Sequence, residues 1–258
     1  MKGKMVVENT KTAAILVGGQ SQRMGYDKKK LRIGGQSMLS QIVKQLSNDF
    51  EDIIVIGCTQ ADIPNISGLR GVYEDVLDQS ASLVGIYSAL LQSRSQFLYV
   101  TACDMPYYNS DYVTYMKSII ENSPDLSGCV TRYQEWIEPF NAFYNVDLIP
   151  QIQTFLKSGR KSIYKCLENE NLYYIDESIG RNYSPGWEMF SNLNTPDELK
   201  KHIKNAKSSI WRILFENFND QVTGSFLAKR IAAKAINFWS PSNRSTTWQK
   251  QTYLLKSK

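Results

Sequence analysis

The sequence predicts an α/β fold. A mostly parallel, mixed central sheet flanked by helices should occupy residues 1–206, followed by a basic, helix-rich C-terminal extension over 207–258. Three observations predict it. Short apolar, β-rich runs alternate with helix-period stretches over most of residues 1–206, the rhythm of βαβ units. A chain of 258 residues, 42% hydrophobic and 21% charged, can bury one large core. The net charge of +5 is also uneven: residues 207–258 hold nine Lys or Arg against Glu216 and Asp220, a local +7 that leaves −2 for the domain.

Residues 12–17 are a continuous apolar run of strand length, and residues 18–30 a polar, Gly-containing loop. Ser37 then caps a helix whose Met38, Leu39, Ile42, Val43 and Leu46 keep helical spacing. Residues 52–56 form a second buried strand and 71–73 a short third one. Ser82 is the expected cap of the next helix, with Leu83, Val84, Tyr87, Leu90 and Leu91 on its apolar face. Another inner strand, 97–100, runs into Ala102-Cys103-Asp104-Met105-Pro106. A helix over 110–122, strands over 128–132 and 141–145, a helix over 146–157 and a strand over 172–175 follow. Pro196 marks the first turn of a helix opened at Thr195. Beyond residue 206, helix-like stretches at 210–218 and 226–239 precede a polar tail.

Several function classes fall away. The longest apolar runs, such as 13–17 and 53–56, are far short of the roughly 20 residues of a spanning helix. Polar residues 8–11 interrupt any signal-peptide core, so a cytoplasmic location is expected. Cys58, Cys103, Cys129 and Cys166 make no C-x-x-C pair and read as buried thiols. The one histidine, His202, lies in a Lys-rich segment and reads as a surface residue. A nearly neutral domain argues against nucleic-acid binding. In the extension, Ile210, Trp211, Leu214, Phe215 and Phe218 form an apolar stripe, and Lys229, Arg230 and Lys234 sit among apolar residues. A packed helix pair is favoured there over a membrane or partner surface.

Chemistry belongs beyond the carboxyl ends of the strands. After the first strand, Gly18 and Gly19 allow close backbone approach, and Arg23 and Lys28 bring positive charge to a polyphosphate. The spacing fits neither a P-loop nor a dinucleotide-binding turn. After the inner strand, Asp104 offers hard oxygen donors to Mg²⁺, against the plainer reading of a turn aspartate. After the third strand, Glu74-Asp75 reads first as a solvated loop pair, although Asp75 could accept hydrogen bonds from a base or ribose.

Residues 16–31 resemble the L-[AV]-G-G-x-S-x-R-M-G-x-D-K-x-x-L signature of the molybdenum cofactor guanylyltransferases, within the nucleotidyltransferase superfamily. Glu74-Asp75, Cys103-Asp104-Met105-Pro106, Glu138-Pro139-Phe140-Asn141-Ala142 and residues 192–199 agree in order and spacing. The resemblance covers about the first 205 residues. It implies a single Rossmann-like (GT-A-type) domain and transfer of GMP from GTP to molybdopterin with Mg²⁺. It also implies that Leu16, Val17, Gly18 and Gly19 line the nucleotide site and that Lys28 binds the triphosphate. Asp75 would hold the nucleoside and Asp104 both nucleotide and metal, with Asn194 near metal or pterin; Arg23, by its charge, reads as a further catalytic cation. Gly18-Gly19, where related cytidylyltransferases carry Ala-Gly, implies GTP over CTP. Molybdopterin-handling or molybdoenzyme-maturation proteins are the implied macromolecular partners. Two departures stand out: Gly57 replaces a familiar Asn, and Ala81-Ser82-Leu83-Val84-Gly85 replaces a Gly-Pro-Leu-[AV]-Gly turn. Competing readings are a cytidylyltransferase, another small-phosphate nucleotidyltransferase, or a non-catalytic nucleotide-binding partner that delivers the cofactor.

Overall fold

A computed structural model describes residues 9–17, 32–33, 36–79 and 81–193 of the chain. The glycine loop, residues 194–206 with His202, and the extension lie outside the described residues. So do the expected boundary at 206 and the helices at 195 and beyond.

Strand β1 (Thr12–Leu16) is buried at every position. It lies between β4 (Asp52–Ile56) and β6 (Phe97–Ala102), parallel to both, and β5 (Gly71–Tyr73) adds in parallel to β4. The second half contributes β7 (Gly128–Tyr133), β8 (Trp136–Asn145) and β9 (Leu172–Ile175). The sheet runs β5-β4-β1-β6-β8-β7-β9, and β8 alone is antiparallel to its neighbours. A strand covered on both faces has no polar side to show, which is why β1, β4 and β6 read as unbroken apolar runs. A small antiparallel ribbon, β2 (Arg32–Ile33) with β3 (Gln36–Ser37), stands apart.

Helix α1 (Met38–Leu46) buries the five expected residues, and Ser37 Oγ accepts from the Ser40 N–H as its cap. Helix α2 (Ser82–Gln92) packs with α4 (Ile149–Lys157) and α5 (Ile163–Leu167) over Leu16, Ile56, Val100 and Tyr144. Helices α3 (Ser110–Asn122) and α6 (Glu177–Tyr183) contact β7. Two details differ from expectation. Ser82 is the first residue of α2, whose cap position is Ala81 and carries no side-chain bond. Leu91 is 42% exposed, because the buried arc through Leu83, Val84, Tyr87 and Leu90 leaves the next position turned outward. All four cysteines are buried, and burial pushes the thiols of Cys129 and Cys166 up to about 12 and about 11. Among the described residues no helix is long and apolar enough to cross a membrane.

The reversal at β8 produces the main irregularity. Cys129 faces Phe143 and Thr131 faces Glu138, so one β7 residue is matched against four of β8. Asn141 lies in this bulge with φ +52, a left-handed conformation that Asn tolerates better than most residues. It is buried: its Oδ1 accepts from Tyr99 and Thr101, and its Nδ2 donates to the Met189 carbonyl. Asn141→Ala strands two buried hydroxyls and a carbonyl, so chemical denaturation should show a loss of about 2–4 kcal/mol. A loss below about 0.5 kcal/mol, the scale of a surface substitution, would show that this network does not hold the bulge.

Candidate functional site

The parallel strands end at one level. Leu16 pairs with Ile56 on one side and Ala102 on the other, and Ile56 pairs with Tyr73. The ladder then runs one step into the loops: Val17 N–H donates to Ile56 O, Cys103 N–H to Leu16 O, and Gly57 N–H to Tyr73 O. Residues 17, 57, 74 and 103 therefore leave the sheet side by side, at the carboxyl edge where α/β sheets bind ligands.

Leu16 is a core residue. Its side chain packs where a Cβ on Gly85 of α2 would come within 2.9 Å of Cδ1, and its carbonyl is taken by Cys103. The Val17 carbonyl is the first backbone group of this strand end to lie beyond the ladder. Gly57 has φ +94, and a Cβ there would lie 3.2 Å from Val17 O and 3.5 Å from Asp75 Oδ2. The missing side chain leaves a notch between that carbonyl and Asp75.

Glu74 is exposed, whereas Asp75 is partly buried, so the solvated-pair reading holds for the first residue alone. Asp75 Oδ1 is a buried oxygen with no hydrogen-bond partner. Burial raises its pKa, and a hydrogen bond from Ser88 opposes the rise. Ser88 has one proton, which the Val84 carbonyl also accepts, so Asp75 is supported weakly. An orphaned carboxylate oxygen beside an open notch is a ready acceptor for a ligand N–H or O–H.

Asp104 follows β6 and is partly exposed at the same edge. Its carbonyl accepts from the Leu193 N–H at 2.8 Å, which brings the start of the Asn192-Leu193-Asn194 segment to it. Asp104 suits Mg²⁺ by donor chemistry. No group of three or more His, Cys, Asp or Glu among the described residues could hold a metal by itself, so phosphate and water would complete the shell. The N-terminus of α2 also opens here with no side-chain cap, and the positive end of a helix favours an anion nearby. Gly18, Gly19, Arg23, Lys28 and Asn194 lie outside the described residues. Sequence reasoning passed over two further groups at this edge, Glu138 and Trp187, which share a hydrogen bond. Glu138 stood in a recognised segment, but nothing in its spacing shows that a distant Trp turns back to it.

Comparison with known proteins adds identity to this geometry. Residues 13–172 match the family model of the MobA-like NTP transferase domain. A "Molybdenum cofactor guanylyltransferase" of Syntrophotalea carbinolica is 38% identical over 74% of this chain and 89% of its own length. The molybdopterin-guanine dinucleotide biosynthesis protein A of Archaeoglobus fulgidus has the same fold, with a TM-score of 0.63 at 20% identity over 76% of this chain and 99% of that one. The 2-C-methyl-D-erythritol 4-phosphate cytidylyltransferase of Thermus thermophilus shares it at a TM-score of 0.54 and 10% identity, over 75% and 98%. Proteins named for different nucleotides thus share the architecture, and the fold does not choose the base.

The state of Asp75 makes a testable difference. Its folded pKa lies above the ordinary 3.8, so the folded chain holds this proton more tightly and loses stability as pH rises through that window. Asp75→Asn removes the ionised form. Its melting temperature at pH 7 should exceed that of the parent by about 1–2 °C. The gain should fade as pH falls toward the ordinary carboxylate value, where the parent is protonated. A lower melting temperature at pH 7 would contradict the assignment.

Proposed function

The chain belongs to the MobA-like NTP transferase family and is a nucleotidyltransferase; from this we propose that it transfers GMP from GTP to the terminal phosphate of molybdopterin, with Mg²⁺. The observation that carries the reading is the single edge at which Asp75, with its orphaned oxygen, the Val17 carbonyl and Asp104 lie on neighbouring strand ends. A nucleoside at Asp75 places its phosphates toward Asp104. The preference for GTP over CTP rests on Gly18-Gly19.

In the proposed reaction a terminal phosphate oxygen of molybdopterin attacks the α-phosphorus of GTP. A new P–O–P bond forms, the bond to the β-phosphate breaks, and pyrophosphate leaves with the electron pair. The attacking phosphate is already ionised near neutral pH, so no general base is required. Two anions must meet, and positioning with charge neutralisation dominates the barrier. Arg23 and Lys28 would neutralise charge on the departing pyrophosphate, and Asp104 would hold the metal. When bound, Mg²⁺ supplies positive charge to the phosphate oxygens. By resemblance, Gly18, Gly19 and Val17 would line the nucleotide through backbone groups, and Asn194 would serve the metal or pterin. Residues 1–206 would carry this chemistry, and 207–258 would form an accessory extension.

Pyrophosphate release from the purified chain with molybdopterin, measured with GTP, CTP and ATP in the presence and absence of Mg²⁺, tests the reading. Release should require Mg²⁺ and favour GTP. Asp104→Ala should lower turnover by about 10²–10³ or more, and Lys28→Ala by less. CTP as the better substrate would overturn the base assignment, and near-parental turnover of Asp104→Ala the metal assignment. Absence of release with every nucleotide would point to a binding partner in place of an enzyme acting on this substrate.

A further inference from the structure

Glu138 opens the bulged stretch of β8, opposite Thr131. Its carboxyl is partly buried. Among the described residues one hydrogen bond reaches it, from Trp187 Nε1 to Oε1 at 3.1 Å. The described residues give Oε2 no donor. Burial raises the carboxyl's pKa, and the indole N–H partly offsets that rise.

The indole is held in place with unusual firmness. Trp187 has φ +63, a left-handed conformation in which a bulky residue is strained. Its ring lies 4.6 Å from that of Phe190 and 5.1 Å from that of Tyr133, centroid to centroid, and the Arg181 guanidinium lies 5.0 Å from its centre. A Cβ on Gly180 would come within 3.0 Å of it. The ring therefore has packed neighbours, and its N–H is what it offers Glu138. The strap that carries it, residues 184–193, also accepts from Asn141 at the Met189 carbonyl and donates from Leu193 to the Asp104 carbonyl. One short segment thus ties Glu138 and Asp104 to the same edge.

The order of strands places these groups in a row. Asp75 follows β5, Asp104 follows β6, and Glu138 sits on β8, beyond β6. A carboxylate with an unpaired oxygen thus stands on each side of the proposed metal residue. The proposed product has a matching layout, with two 2-amino-4-oxopyrimidine rings flanking a diphosphate. Each ring presents a ring N–H beside an exocyclic NH₂, a paired donor edge that a carboxylate accepts well.

We propose that Glu138 selects the acceptor, taking hydrogen bonds from the N3–H and 2-amino group of its pterin ring, with Trp187 as the positioning residue. The proposal rests on the function given above and names the acceptor half of that site. Trp187 orients the carboxylate by occupying Oε1, and Oε2 faces the incoming ring.

Fluorescence titration of the full chain with 6-hydroxymethylpterin and 6-hydroxymethyllumazine tests this without turnover. The two probes differ at one position, where an amino group is replaced by an oxo group. The parent chain should bind the pterin at least about 10-fold more tightly, because a site built to accept an N–H rejects an analogue that lacks it. Glu138→Gln keeps the volume and an acceptor for Trp187, yet should cut that preference to within about 3-fold. Its affinity for GTP should not change, and its melting temperature at pH 7 should not fall, since burial already disfavours the ionised carboxyl. Trp187→Phe should reduce the preference in the same direction and serves if the Gln variant fails to fold. An absent preference in the parent, a preserved one in both variants, or an equal loss toward GTP would overturn the proposal. Failure of GMP transfer in the parent would instead count against the reaction, since the titration judges Glu138 alone.

Discussion

The central constraint is the common level at which the parallel strands end. Buried backbone groups must be paired, and at the edge of this sheet they are paired one step beyond the strands themselves. Val17, Gly57 and Cys103 are fixed there by main-chain hydrogen bonds to Ile56, Tyr73 and Leu16, whatever their side chains. A one-residue slip of β4 against β1 would turn Ile54 and Ile56 away from α2 and break the core as well as the edge. Site and core therefore share one register. Gly85 adds to this, since its lack of a Cβ lets α2 settle on Leu16 and brings the uncapped start of that helix beside β1.

The second half of the chain solves a different problem. With β8 antiparallel to both neighbours, its first residues come back to the carboxyl edge of β6, and the extra residues of the bulge must go somewhere. Asn141 resolves this by accepting a left-handed backbone and by satisfying two hydroxyls and a carbonyl at once. Its bond to Met189 anchors the strap over β8, and from that anchor Trp187 reaches Glu138 while Leu193 reaches Asp104. A defect in one strand pair is thus the means by which a distant segment is brought to the site.

What could be read in the sequence follows from what each element needs. β1, β4 and β6 were legible because burial on both faces demands apolar residues throughout, and α1 because its cap and spacing agree. Asp104 stood out as a carboxylate at the end of such a run. Asp75 was harder, since adjacent acidic residues usually face water, and its neighbours Ser88 and Gly57 are not near it in sequence. β8 was seen as its last five residues only, because Glu138 and Pro139 break the alternation ahead of them. α5 and α6 are too short to show a period. Trp187 gave no signal, because its role depends on a left-handed turn and on a partner almost fifty positions away.

Asp75 and Glu138 share one electrostatic situation on either side of Asp104. Burial raises the pKa of each, one neutral donor opposes that rise, and among the described residues one oxygen of each has no hydrogen-bond donor. A carboxylate kept for stability alone would be fully paired or turned to water, since a half-satisfied buried acceptor costs free energy. Both groups are partly exposed, so solvent screening keeps that cost small. The same partial desolvation strengthens a bond from a ligand N–H, and it penalises a ligand that brings an oxygen to the same place. The free chain gives up a little stability at both ends of the edge, and in the proposed site a ligand with paired N–H donors at each end would recover it on binding.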